Sequence, residues 1–178
     1  MIKIEKNTKM EIQALSFSVL KSMEGKTLID LSRDQYYFNE KPAAENDASL
    51  ELAFSDDSCV TLFILGGGES VAANAEPIEI LEAFKLEGNA HCSWKKISLS
   101  KDKHWSPLIG VRVKEVFCIY EEYIGVPANV LMGWKILFQS CGYLSFYNCG
   151  DTGRLLRDEM PPKEKGYNLS LVSINANI

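Results

Sequence analysis

The stretch Leu50-Glu51-Leu52-Ala53-Phe54-Ser55-Asp56-Asp57-Ser58-Cys59-Val60-Thr61-Leu62-Phe63-Ile64-Leu65 decides the fold class. Leu50, Leu52 and Phe54 recur at a period of two, the spacing that puts alternate side chains on one face of a strand. Ser55-Asp56-Asp57-Ser58 is a run of turn formers whose short polar side chains bond their own backbone. Cys59 to Leu65 is a second apolar run rich in strand formers. Two such runs joined by a short polar turn specify an antiparallel hairpin. Gly66-Gly67-Gly68 then ends it.

The same pattern returns in the second half of the chain. Trp134, Ile136 and Phe138 alternate as Leu50, Leu52 and Phe54 do, and Gln139-Ser140-Cys141-Gly142 takes the place of the turn. Tyr143-Leu144-Ser145-Phe146-Tyr147 is the return run, and Gly150 stands where Gly66 stood. Upstream, Gly110-Val111-Arg112-Val113-Lys114-Glu115-Val116 matches Gly25-Lys26-Thr27-Leu28-Ile29-Asp30-Leu31. The offset is 84 or 85 throughout. The expected architecture is a single domain, 1–178, containing an internal duplication: one β unit at about 23–70 and another at about 108–155, sharing a core about an approximate twofold axis. Trp134, at a repeat-matched position, is expected in that core.

Ile12, Leu15, Val19, Leu20 and Met23 fall at helical spacing before Gly25, which predicts a helix over 10–23. Residues 39–48 read as a loop, and 77–86 (PIEILEAFKL) fit a short helix or a strand. Tyr167–Ser173 alternates partly and adds one more strand. The fold class is α+β, mainly antiparallel β, with an N-terminal helix.

A chain of 178 residues with 46% hydrophobic and 24% charged content suits one ordinary globular domain. No window approaches the roughly 18 unbroken apolar residues of a membrane span. MIKIEKNTKM lacks the apolar core of a secretory signal, so a cytoplasmic protein without membrane association is expected. The five cysteines (Cys59, Cys92, Cys118, Cys141 and Cys149) are odd in number and form no CxxC pair, which predicts reduced, mostly buried thiols. The net charge of −5 disfavours nucleic acid as a partner. That charge is concentrated: residues 49–90 hold eight acids, among them Glu69, Glu76, Glu79, Glu82 and Glu87, against Lys85 alone. Such a segment steers a basic partner or simply forms a solvated face.

Candidate chemistry is sparse. Asp151-Thr152-Gly153 resembles the triplet of aspartic proteases, where paired aspartates share a proton. Here Asn148-Cys149-Gly150 replaces the apolar residues of that family, and the repeat-matched Gly67-Gly68-Glu69 brings no second aspartate. A turn explains the triplet as well. His91 and His104 are the two histidines, and a Cys–His pair would have to be assembled in space. Neither a zinc-ligand spacing nor the lysine of a phosphate-binding loop is present, so no metal and no cofactor is expected. Trp105 lies in a loop-like context, Lys103-His104-Trp105-Ser106-Pro107, and reads as core packing or as an exposed interface anchor.

The mainly β layout, the acidic stretch and a hairpin closing on Asn148-Cys149-Gly150-Asp151 resemble, over about 105–160, the bacterial immunity proteins that accompany polymorphic or contact-dependent toxins. The resemblance implies a non-enzymatic protein that neutralises a basic, nuclease-type toxin by direct binding, and it carries no functional residue across. The face expected for that partner is 69–87, with Glu69, Glu76, Glu79, Glu82, Glu87 and Trp105. Two alternatives remain: a hydrolase with its site near Asp151 or His104, and a structural β-domain forming a homodimer or larger assembly through a strand edge.

Overall fold

The computed structural model describes residues 9–43, 49–65, 70–125, 129–150, 152–163 and 166–176. One helix, α1 (Lys9–Lys21), precedes twelve strands. In the first sheet these are β1 (Leu28–Phe38), β2 (Lys41–Pro42), β3 (Leu50–Phe54), β4 (Cys59–Ile64), β5 (Val71–Asn74), β6 (Phe84–Lys85) and β7 (His91–Ser98). The second holds β8 (Val113–Tyr123), β9 (Asn129–Phe138), β10 (Tyr143–Asn148), β11 (Gly153–Arg157) and β12 (Tyr167–Ser173). The fold is α+β and mainly antiparallel. The loop expected over 39–48 contains β2, which pairs with the end of β1; 44–48 lie outside the described residues.

Both sheets have the same strand order. The first runs β5-β4-β3-β1-β7-β6 and the second β11-β10-β9-β8-β12. Registers correspond as well: Arg33 pairs with Leu50 as Cys118 pairs with Trp134, and Leu50 pairs with Leu62 as Trp134 pairs with Phe146. β1 and β8 each carry a register shift at the same place, between Leu28 and Asp30 and between Val113 and Glu115. The units meet where Thr27 bridges Arg112, its own counterpart. Around that bridge the hydrogen bonds come in related pairs. The Gly25 N–H donates to the Val113 carbonyl as the Gly110 N–H does to Leu28, and Leu28 N–H to Val111 as Val113 N–H to Lys26. Gly25 and Gly110 have φ of 80° and 83°, the left-handed conformation glycine adopts without penalty.

The correspondence also reaches β7 and β12, at an offset of 75. Ser98 donates its hydroxyl to Asp30 and Ser173 to Glu115, both at 2.8 Å. Leu99 N–H then bonds Leu31 and Ile174 N–H bonds Val116. Between the sheets lies one apolar cluster, with Leu28, Leu31, Leu52, Phe54 and Leu62 from the first and Val113, Val116, Trp134, Ile136 and Phe146 from the second. Gly133 is required beside it, because a Cβ there would stand 2.5 Å from the Phe146 carbonyl oxygen.

Helix α1 seals one edge of this sandwich. Its Leu15 is 57% exposed whereas Ser16 is buried, against the expected apolar stripe. Ser16 Oγ accepts the Ala73 N–H at 2.9 Å and lies 3.2 Å from the Ala73 carbonyl oxygen, so it satisfies the open edge of β5. Phe17 meets Trp134 edge-on, with ring centroids 5.8 Å apart.

Asp30 and Asp34 respond oppositely to pH. Burial works to raise Asp30, but the hydroxyls of Ser100, Ser32 and Ser98 outweigh it and hold the carboxyl below its ordinary value. Asp34 is raised by burial, which outweighs the N–H of Ser49. A lowered folded pKa contributes stability above the unfolded pKa, lost as pH falls through the folded one; a raised one has the opposite sign. Asp34→Asn is therefore expected to remove a gain in stability on acidification above about pH 4, and Asp30→Asn a loss below it. Urea midpoints measured from pH 7 to 2 check both, and identical profiles for the two variants would contradict the assignment.

Candidate interaction surface

After β5 the chain crosses the outer face of the first sheet as a strap, residues 75–90. Its anchors are polar. The Asn74 side chain accepts the Glu76 N–H at 3.2 Å, and the Thr61 hydroxyl donates to the Glu76 carbonyl at 2.6 Å. Ile78 is buried beneath the strap, and its N–H donates to Glu51 Oε2 at 2.8 Å. Glu51 is itself buried on this face and is held by Lys96 Nζ at 2.6 Å. Beyond Ile78 the strap has no regular structure until the two-residue β6, where 77–86 had read as a short helix or a strand. Pro77 and the carboxylate anchor at Ile78 hold 77–83 out of both, and the strand reading holds only at Phe84–Lys85, which pairs with β7.

The outer surface of the strap is acidic and apolar together. Glu76, Glu79, Glu82 and Glu87 are all exposed. Leu81, Phe84 and Leu86 are exposed among them, Leu81 at 59%. Phe84 lies 5.8 Å from the ring of Trp94, which lies 5.0 Å from Tyr36, so an aromatic row continues across β6, β7 and β1. The corresponding connection in the second unit, 158–166, is shorter. It tucks Met160 against the outer cluster of Ile119, Met132 and Tyr147, and its described residues carry no comparable apolar exposure. Glu51→Ala would leave the buried Ile78 N–H without an acceptor while Lys96, half-exposed, turns to water. The expected cost is about 1–3 kcal/mol, with faster proteolysis within 75–90, and an unchanged urea midpoint would show the strap to be held elsewhere.

The acidic residues expected at a partner face thus lie on one exposed strap, except Glu69, which lies outside the described residues. Trp105 is not an exposed anchor of that face. It is 9% exposed and packs in the core at the inner side of the first sheet. Leu50 points to that inner side and Glu51, its neighbour on β3, to the strap. The reason lies in the repeat: Trp105 and Leu108 occupy the places that Leu20 and Met23 hold before β1, with matched N–H bonds from Leu108 to Trp105 and from Met23 to Leu20. Phe84, Leu81 and Leu86 were not singled out from sequence; the signal was an apolar stretch that fits helix and strand equally, in the connection that the second unit shortens.

His104 is exposed and its ring meets Trp105 edge-on at 4.7 Å. Its N–H donates to Asp102, and its carbonyl accepts from Arg157. Asp151 lies outside the described residues; beside it, the Thr152 carbonyl accepts the Cys149 N–H at 2.8 Å in a turn. His91 and Cys92 are successive on β7 and point to opposite faces; His91 stands 3.3 Å from Glu40, and Cys92 Sγ 3.0 Å from the Tyr36 hydroxyl. Burial pushes the Cys118 thiol up to about 11, and raises Cys59 and Cys141, the reverse of what activates a thiolate nucleophile. Among the described residues no three His, Cys, Asp or Glu gather as metal ligands, and no helix is long and apolar enough to cross a membrane. No family model, curated protein or solved structure matches this chain.

Proposed function

We propose that this chain is a non-enzymatic protein-binding module whose partner is basic, and that it neutralises a toxin of nuclease type by covering the toxin's active surface. One observation carries the reading: the strap of the first unit, longer than its counterpart in the second, exposes Leu81, Phe84 and Leu86 among Glu79, Glu82 and Glu87. Apolar anchors within a charged rim are the make-up of a binding hot spot. The acids attract a basic partner over distance and the apolar residues hold it after contact. Occlusion requires no metal, cofactor or nucleophile of this chain.

The test is affinity capture with tagged protein from lysate and culture fluid of the source cells, at low and high salt, read by mass spectrometry. One stoichiometric basic protein is expected, weakened by salt and lost to a variant with Glu79→Lys, Glu82→Lys and Glu87→Lys. Capture that is indifferent to both, or no capture at either salt, would overturn the reading.

A further inference from the structure

A cavity of about 170 Å³ opens between the two sheets, lined by Arg33, Leu50, Asp102, Trp105, Phe146 and Leu155, with Leu99, Ser49 and Gly153 completing it. The internal repeat says what belongs there. By register, Leu50 corresponds to Trp134, Phe146 to Leu62, and Leu155 to Ala73. By offset, Trp105 corresponds to Leu20 and Asp102 to Phe17. The corresponding residues on the other side form the packed seat of α1: Leu20, Leu62, Ala73 and Trp134 belong to the core and Phe17 is packed against it. In the second unit the helix shrinks to the single turn Ser106–Leu108, so the large tryptophan has moved from the sheet to the turn and the Phe17 ring has no counterpart. The space left is about that of one aromatic ring, and its exposed lining is more polar than apolar, with Arg33, Asp102 and Ser49 beside Leu50, Trp105, Phe146 and Leu155.

We propose that this cavity is a second docking site, independent of the acidic strap, and that it takes an aromatic side chain carried on a helix of a partner protein, laid against β11 as α1 lies against β5. Helix-in-groove binding with a single buried aromatic anchor is a recurrent mode of recognition. The lining charges Arg33 and Asp102, with Asp34, which accepts the Ser49 N–H at 2.6 Å, and the exposed Lys101 and Lys103, leave an excess of one positive charge, which favours acidic flanks on that helix.

The probe is a labelled peptide copying residues 9–24, titrated onto the full-length protein and followed by fluorescence anisotropy. Saturable binding below about 1 mM is expected, about tenfold weaker for a Phe17→Ala peptide and tighter at low salt for one with Lys9→Glu and Lys21→Glu. Filling the cavity by Leu155→Trp, at a half-buried position, should abolish binding while circular dichroism stays unchanged; Leu50→Trp is the second plug. Binding untouched by either plug means that the peptide displaces α1 in its own seat, and this overturns the proposal. So do equal affinity of the Phe17→Ala peptide, no saturation by that concentration, toluene entering where neither peptide does, or a dimer that the plugs dissociate.

Discussion

Trp134→Ala is expected to cost about 3–5 kcal/mol of stability, a large part of the 5–15 kcal/mol typical of a native domain. Trp134 has no exposed surface, sits in register between Cys118 and Phe146, and receives the edge of Phe17. Truncation opens a void where α1 packs on the second sheet, so the helix loses its aromatic contact as the strand loses its largest side chain. Trp134→Phe separates packing from polarity. Indole Nε1 is buried and has no acceptor among the described residues, a state that itself costs about 1–3 kcal/mol. Phenylalanine removes that donor while keeping much of the volume, so its net effect should fall below about 1.5 kcal/mol. Urea unfolding read by far-ultraviolet circular dichroism measures both. Equal losses for the two variants would mean that Nε1 has a partner and that hydrogen bonding, not packing, fixes Trp134.

That this tryptophan belongs inside was legible in the sequence, because the alternation of Trp134, Ile136 and Phe138 repeats that of Leu50, Leu52 and Phe54. Strands betray themselves where one face is buried and the other wet. The correspondence of β7 with β12 was hidden by a change of offset, since the strap of the first unit is longer than its counterpart; Ile97-Ser98-Leu99-Ser100 against Val172-Ser173-Ile174-Asn175 was its trace. Trp105 misled as an anchor because its surroundings are polar and proline-bearing, yet it stands 85 positions after Leu20, a core residue. Leu15 and Ser16 reversed their expected places for a reason no local pattern contains, the demand of the β5 edge for a hydrogen-bonding partner. The glutamates of the strap were visible as charge. Leu81, Phe84 and Leu86 were not visible as surface, because an apolar residue in a stretch that fits helix and strand alike reads equally as core.

The variant with Glu79→Lys, Glu82→Lys and Glu87→Lys should lower the association rate with the proposed basic partner by about 10- to 1,000-fold at low salt. The three side chains are exposed, so folding stability should stay within about 0.5 kcal/mol of the parent. Reversal rather than neutralisation is the sharper probe, because it replaces attraction over a Debye length by repulsion. At about 1 M salt, where that length falls to about 3 Å, the two proteins should converge in rate. Leu81→Ala and Phe84→Ala address the other half of the surface: they touch no charge, so the association rate should hold while dissociation accelerates. If either residue is an anchor, affinity falls by about 2 kcal/mol or more. Surface plasmon resonance against the captured partner reads both rates in one experiment. Should the charge reversal slow nothing, or should the apolar truncations act on association alone, the strap is a solvated cover for Glu51 and Thr61 and the partner binds elsewhere.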